Sequence, residues 1–96
     1  MQNLSIVLPA YNEEGALSET VERAVKYLRS REISGEVLIV NDGSTDNTGT
    51  LAERLHSRYR EVRHLRHETN RGYGEALRTG FSAARSAWVF LTDADG

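Results

Sequence analysis

Three short apolar runs, each ending in a cluster of polar and turn-forming residues, most constrain the fold of this chain. The runs are Leu4 to Leu8, Glu36 to Val40 and Ala87 to Thr92. They are rich in Val, Ile and Leu without strict alternation, which is typical of parallel strands buried on both faces. A fourth run, Val62 to Arg66, contains Arg and His and is therefore better suited to the edge of a sheet.

Helical patterns lie between these runs. Apolar residues recur at helical spacing in the segments 17–28, 51–59 and 73–84. We expect Asn12 and Asp46 to cap the first two helices, with Glu13 and Glu14 in the first turn of the first helix. The alternation predicts an α/β fold with a parallel sheet, right-handed crossovers and helices on both faces. With the polar third strand at an edge, the predicted order is 3-2-1-4.

Composition bounds the class of protein. The chain has 96 residues, of which 39% are hydrophobic and 27% charged, and these values predict one soluble domain, or the first half of one, over residues 1–96. The formal net charge of -2 argues against nucleic acid as a partner. Cysteine is absent, which excludes disulfides and thiolate metal sites. Because no apolar run approaches the roughly 20 residues of a membrane span, we expect a cytoplasmic chain.

All four strands of such a sheet end at the same edge, near a change of direction between strands 1 and 4 where ligands bind. Asp93 and Asp95 follow the last apolar run. Carboxylate oxygens suit Mg²⁺ or Mn²⁺ holding a diphosphate. An isolated D-x-D is more simply a solvated turn, so its convergence with the other strand ends makes this pair a candidate metal site.

Two other strand ends carry candidate ligand contacts. Pro9 fixes the exit from strand 1, and the ring of Tyr11 could lie against a base; the alternative is a core tyrosine in a turn. Asp42 follows strand 2, and we expect its carboxylate to point out of the edge and accept an imide N–H from a nucleobase. The alternative for Asp42 is an ordinary Asp-Gly turn.

The glycines and histidines have simpler interpretations. The turn N-R-G-Y-G at 70–74 could bring backbone N–H groups close to phosphate, but it lacks both full nucleotide-binding motifs, so a tight turn is favoured. Gly80 is expected to allow close packing of a helix on the sheet. His64 and His67 would lie on opposite faces of a strand and are interpreted as solvated surface residues rather than metal ligands.

Four blocks, in order along the chain, resemble one known family. They are L-P-A-Y-N-E-E at 8–14, V-N-D-G-S-T-D at 40–46, N-R-G-Y-G-E-A-L-R-T-G at 70–80 and D-A-D-G at 93–96. Together they resemble the N-terminal part of inverting family 2 glycosyltransferases, whose fold is the Rossmann-like GT-A half-domain. The third block is most similar to the branch with dolichol-phosphate mannose synthase and polyprenyl-phosphate glucosyltransferases. The resemblance covers essentially the whole chain.

The resemblance implies a nucleoside pocket at the end of strand 1. In that pocket Pro9, Ala10, Tyr11 and Glu13 would contact the substrate, with Tyr11 against the base and Glu13 towards the ribose. Asp42 would recognise the base by a hydrogen bond.

The resemblance also implies roles for the D-x-D residues. Asp95 would reach Mg²⁺ or Mn²⁺, and Asp93 would contact the ribose or, through water, the ion, with the backbone of Ala94 beside them. The ion would neutralise charge on the departing nucleoside diphosphate. Many relatives carry Lys where this chain has Tyr73, which fits the lipid-phosphate branch.

The implied parent enzyme transfers a sugar from a UDP- or GDP-sugar to a polyprenyl or dolichyl phosphate, at the cytoplasmic face of a membrane. In the family the general base and the acceptor-binding segments follow the D-x-D motif, so both are expected beyond Gly96. The resemblance therefore assigns no catalytic residue within residues 1–96. It predicts that these residues are a truncated part that binds donor poorly and is inactive alone. The free edge of strand 4 is expected to favour self-association.

Two other functions fit parts of the pattern. A hydrophobic strand followed by D-x-D-G also resembles phosphatases with an aspartyl-phosphate nucleophile. In those, however, the motif lies on an early strand, whereas three β-α units precede it here. A non-catalytic, doubly wound binding module could share the topology, but it would not require Tyr11, Asp42 and the D-x-D pair together.

Overall fold

Four strands and three helices alternate in a computed structural model that describes residues 3–86 and 88–91. The strands are β1 (Asn3–Ala10), β2 (Ser34–Asp42), β3 (Val62–His67) and β4 (Trp88–Leu91). The helices are α1 (Leu17–Ser30), α2 (Thr48–Arg58) and α3 (Tyr73–Ala83). Within this described part, no helix is both long enough and apolar enough to cross a membrane.

The strands form one parallel sheet in the order β3-β2-β1-β4. This order agrees with the sequence prediction, and β3 lies at an edge as its polar composition requires. Alternate residues of the central strands β1 and β2 face two separate cores. The core under α1 and α2 includes Ile6, Leu8, Val37 and Ile39. The core under α3 includes Val7, Leu38, Val40 and Ala76. Burial on both faces explains the absence of polar alternation in the two strands.

Helix α1 begins later than the sequence predicts. Its first residue is Leu17, and Ala16 occupies the N-cap position without a side-chain hydrogen bond. The expected cap by Asn12 is therefore wrong, and so is the placement of Glu13 and Glu14 in the first turn. The predicted apolar stripe is nevertheless buried against the sheet; it consists of Leu17, Val21, Ala24, Val25 and Leu28.

Helix α3 is held at both ends by carboxylates of β2. Asp42, the last residue of β2, accepts hydrogen bonds from the N–H groups of Arg71 and Gly72 at 2.9 Å each. Glu36, near the start of β2, accepts one from the N–H of Arg85 at 2.7 Å. Six strand residues span about 20 Å, and the 11 residues of α3 span about 16 Å. The strand segment and the helix are similar in length, so β2 can contact both ends of α3.

Gly80 lies where α3 packs on the sheet. A Cβ atom at this position would overlap Cγ1 of Val7 and would approach Cγ2 of Val40 to 3.3 Å. The predicted role of Gly80 in close helix–sheet packing is therefore confirmed.

Candidate functional site

The first strand leaves the sheet through Pro9 and Ala10, and the following residue is accessible to a ligand. Ala10 is buried, whereas Tyr11 is 44% exposed. The interpretation of Tyr11 as a core residue is therefore wrong, although its contact with a base remains a prediction.

Asn12 joins the loop after β1 to the loop after β2. Its backbone has φ 53°, a left-handed conformation that asparagine tolerates better than most residues. Its side-chain oxygen accepts hydrogen bonds from the N–H groups of Thr45 at 2.8 Å and Asp46 at 3.3 Å. Its own N–H donates to the hydroxyl of Ser44 at 3.0 Å. Asn12 thus fixes the two loops to each other instead of capping α1.

Thr48 continues this connection between the two loops. Its hydroxyl oxygen accepts a hydrogen bond from the N–H of Glu13 at 2.9 Å. The N-cap of α2 is Asn47, so the assignment of Asp46 as N-cap is wrong by one residue. The carboxylate of Asp46 still accepts the N–H of Thr48 at 2.8 Å. Desolvation would raise the pKa of Asp46, but hydrogen bonds from Thr48 hold that pKa below its ordinary value.

Asp42 is buried rather than directed into solvent. Its side chain is 5% exposed. His67 lies 2.7 Å from Oδ1, which also accepts the N–H of Arg71, while Oδ2 accepts the N–H of Gly72. Burial would raise the pKa of Asp42, but the hydrogen bonds from Arg71, His67 and Gly72 outweigh it and hold the pKa below its ordinary value. The expectation of an outward-pointing carboxylate is therefore wrong, while its role in base recognition stays a prediction.

His67 is a buried partner of Asp42. It is the last residue of β3 and lies in register with Asp42 across the sheet. Nδ1 of His67 lies 2.7 Å from Asp42, and Nε2 lies 2.7 Å from the hydroxyl of Thr79 on α3. His64, on the opposite face, contacts Glu53 of α2 at 2.6 Å, and its side chain is 6% exposed. The prediction of opposite faces is confirmed, but neither ring is a solvated surface group.

The loop between β3 and α3 packs directly over the start of the loop after β2. A Cβ atom at Gly43 would overlap the backbone of Thr69 and Asn70, and φ of Gly43 is 70°. The side-chain amide of Asn70 donates to the carbonyl of Asp42 at 3.3 Å. Gly72 has φ 99°, a backbone conformation that favours glycine at this position before α3.

These contacts define the carboxyl-end edge, made of residues 9–14, 42–48 and 67–72. The exit of β2 contacts the loop after β1 on one side and the loop before α3 on the other. Three of the four strand exits are thereby joined into one surface.

The fourth strand exit carries the D-x-D motif. Asp93, Ala94, Asp95 and Gly96 lie outside the described residues, so their predicted contacts stay predictions. The general base, expected beyond Gly96, stays a prediction as well. Among residues 3–86 and 88–91, no three His, Asp or Glu side chains are grouped as a metal site would require.

Sequence comparison identifies the family. The family described as "Glycosyl transferase family 2" matches residues 5–96, and the chain belongs to this family. A dolichyl-phosphate beta-glucosyltransferase of Trichomonas vaginalis is 38% identical over 98 residues, which cover 97% of this chain and 30% of the relative. The human dolichyl-phosphate beta-glucosyltransferase is 36% identical over 102 residues, which cover 99% of this chain and 32% of the relative.

Solved structures share the same fold. The mannosyltransferase PcManGT from Pyrobaculum calidifontis, in complex with GDP-Man and Mn²⁺, has a TM-score of 0.82 at 27% identity, covering 96% of this chain and 27% of that one. Residues 1–349 of TarS from S. aureus, in complex with UDP-GlcNAc, have a TM-score of 0.82 at 26% identity, covering 97% of this chain and 26% of that one. The chain therefore has the architecture of GT-A glycosyltransferases and spans about a third of the length of its curated relatives.

Proposed function

We propose that residues 1–96 are the N-terminal nucleotide-sugar-binding part of a longer GT-A enzyme. This enzyme transfers a sugar with inversion from a UDP- or GDP-sugar to a polyprenyl or dolichyl phosphate. The observation that carries the proposal is the carboxyl-end edge, where three strand exits are joined by hydrogen bonds in a chain of family 2. The names of the relatives, and the sugar nucleotides bound to the solved structures, support the donor and acceptor classes.

The nucleoside lies, in this proposal, against the exit of β1. The exposed ring of Tyr11 is available to stack on a base, and Pro9 and Ala10 supply the adjacent backbone. Glu13 is directed to the ribose, and Asp42 accepts an N–H of the base. The connection through Asn12 fixes the spacing between Tyr11 and Asp42, because it joins the loop that contains Tyr11 to the loop that follows Asp42.

We propose that the D-x-D residues hold Mg²⁺ or Mn²⁺. β4 runs parallel to β1, and its described part ends at Leu91, two residues before Asp93 in the sequence. The donor set of Asp93 and Asp95 fits a hard divalent cation, because both side chains offer carboxylate oxygens. When bound, such an ion offsets negative charge on the diphosphate. The backbone of Ala94, between the two aspartates, also contacts the substrate in this proposal.

The proposal also covers the general base, the acceptor site and self-association. The general base and the site for the acceptor phosphate follow Gly96 in the longer enzyme, at the cytoplasmic face of a membrane. Val89 on β4 is 40% exposed, and the predicted self-association through this edge of the sheet stays a prediction. Family membership leaves the aspartyl-phosphate phosphatase and the binding module without support.

The test uses the full-length enzyme, meaning this chain together with the further length that its relatives have. Release of nucleoside diphosphate is measured from UDP- and GDP-sugars with polyprenyl phosphate, with and without Mn²⁺. We expect metal-dependent release with one donor class, and loss of most turnover in Asp95→Asn with unchanged unfolding behaviour. An amide lacks the negative charge that holds a divalent ion against a diphosphate.

Two results would contradict the proposal. Full, metal-independent activity of Asp95→Asn would remove the D-x-D pair from the site. Turnover by residues 1–96 alone would show that the general base and the acceptor side are already present in this part.

A further inference from the structure

The proposed function assigns no role to the buried contact between His67 and Thr79. His67 is 5% exposed and lies between Asp42 of β2 and Thr79 of α3. Both ring nitrogens are within 2.7 Å of a partner, so the ring has a fixed orientation. A histidine held in this way next to a candidate ligand-binding carboxylate can determine where that carboxylate points.

The protonation of the ring follows from the chemistry of its partners. An ionised carboxylate only accepts hydrogen bonds, so Nδ1 of His67 carries the proton and donates to Asp42. The hydroxyl of Thr79 can donate or accept, and it therefore fits Nε2 with or without a proton. The pair of contacts orients the ring without requiring that it be charged.

Among the described residues, hydrogen-bond donors fill most but not all acceptor positions of the Asp42 carboxylate. A carboxylate offers about four acceptor positions. Within the described residues, Oδ1 receives His67 and the N–H of Arg71, whereas Oδ2 receives the N–H of Gly72 alone. Counting only these described partners, one acceptor position of Oδ2 is left for a further donor.

We propose that His67 is a positioning residue for nucleobase recognition by Asp42. Its Nδ1–H fixes Oδ1 and thereby presents the remaining acceptor of Oδ2 to an imide N–H of a uracil or guanine base. The inference rests on the proposed function, because it requires Asp42 to contact the base. His67 itself touches no ligand.

Two substitutions of His67 test whether its hydrogen bond to Asp42, rather than the volume of its side chain, affects nucleotide binding. In His67→Asn the side-chain nitrogen is attached to Cγ, as Nδ1 is, so a donor to Asp42 is retained and the contact with Thr79 is lost. In His67→Gln the nitrogen is one carbon further out and can reach Thr79 but not Asp42. His64→Gln is the matched control, because His64 lies on the same strand with a similarly buried side chain and contacts Glu53.

Binding of uridine and guanosine monophosphate to the full-length enzyme is measured by calorimetry without metal. For the nucleotide that binds, we expect His67→Gln to weaken binding roughly ten-fold, as for a lost hydrogen bond to a charged group. His67→Asn should remain within about three-fold of the wild type, and His64→Gln should not change the affinity. Asp42→Asn should weaken binding as well, and adding His67→Gln to it should cause little further loss.

The outcomes distinguish the inference from the proposed function. Unchanged affinity in Asp42→Asn would overturn base recognition itself. Weaker binding in Asp42→Asn with wild-type affinity in His67→Gln would overturn only the positioning role, and so would equal losses in His67→Asn and His67→Gln.

A measurement on the wild type keeps the inference testable if His67→Gln fails to fold. Nitrogen-15 NMR of the imidazole should show a protonated Nδ1 in His67, and an unprotonated, pyridine-like Nδ1 would overturn the inference.

Discussion

The two ends of β2 each carry a buried carboxylate on the face covered by α3, but the partners of the two carboxylates differ. At the amino end, Glu36 accepts hydrogen bonds from the hydroxyl of Ser5 at 2.6 Å, the guanidinium of Arg63 at 2.8 Å and the N–H of Arg85 at 2.7 Å. Arg63 also donates to the carbonyl of Ala83 at 3.0 Å. Arg63 and Glu36 thus form an ion pair at this end of β2.

At the carboxyl end, Asp42 pairs with a histidine and with the N–H groups of a loop. The loop before α3 lies over Gly43, and the exposed Tyr11 belongs to the loop that is fixed to the other side of the β2 exit. Two similar carboxylates on one strand therefore lie in different surroundings. Glu36 accepts side-chain and backbone donors next to the C-terminal end of α3, whereas the partners of Asp42 within the described residues are a histidine and two backbone N–H groups before α3.

The largest expected effect is on stability, from Glu36→Ala. This change leaves the partly buried charge of Arg63 without its carboxylate and removes the acceptor of Arg85, so we expect a loss of about 3 kcal/mol in unfolding free energy. Urea denaturation measures it. The control is Glu19→Ala, whose pair with Arg23 is exposed on both sides, and which should cost at most about 0.5 kcal/mol. Equal losses in the two variants would contradict the role given to Glu36.

The next largest effect on stability is expected in the middle of α3, between its two anchored ends. Gly80→Ala introduces a methyl group against Val7 and Val40, and we expect it to cost about 2 kcal/mol through overpacking. Gly74→Ala, in the same helix with no atom within 4 Å of the new Cβ, should instead raise stability by up to about 1 kcal/mol. Thermal unfolding of both variants checks the difference in sign, and destabilisation by both would show that the space at Gly80 is not the cause.

The smallest expected effect is the loss of folding stability in acid that follows from protonation of each carboxylate. For Glu36, desolvation would raise the pKa, but hydrogen bonds from Ser5, Arg85 and Arg63 outweigh it, so the pKa lies below the ordinary 4.5. The pKa of Asp42 likewise lies below its ordinary 3.8. A lowered pKa in the folded state adds stability above the ordinary value, and that stability is lost as the pH falls through the folded value.

The matched variants Glu36→Gln and Asp42→Asn assign this acid sensitivity to the two ends of β2. Each should flatten the pH dependence of unfolding free energy, in Glu36→Gln below pH 4.5 and in Asp42→Asn below pH 3.8. Denaturation at a series of pH values measures both. An unaltered slope in either variant would remove that carboxylate from the account.

The fold could be predicted from sequence because periodicity reports burial directly. The Val, Ile and Leu runs and the stripe of α1 indicated the strands, the helices and their faces. Contacts between loops could not be predicted in this way. The acceptor side chain of Asn12 meets Thr45 only after β1 and β2 have paired, so a local cap was the natural but wrong interpretation.

The contact between Asp42 and His67 was missed for a related reason. The predicted strands ended at Val40 and Arg66, which left both residues in loops. In the structure β2 and β3 extend to Asp42 and His67, and the parallel register sets these two residues side by side. A sequence prediction that extended β2 to Asp42 and β3 to His67 would have placed the two residues next to each other. The roles of Tyr11, Asp42 and the D-x-D pair in binding stay predictions.

In the proposed function the nucleotide binds at the carboxyl-end edge and not at the Glu36 end of the sheet. Backbone amide NMR of the isotope-labelled full-length enzyme, titrated with UDP and GDP in the presence of Mg²⁺, tests this placement. We predict concentration-dependent shifts for Asn12, Arg71 and Gly72, with the amides of Glu36 and Arg85 unchanged. Shifts centred on Glu36 and Arg85, with Arg71 and Gly72 unchanged, would contradict the account.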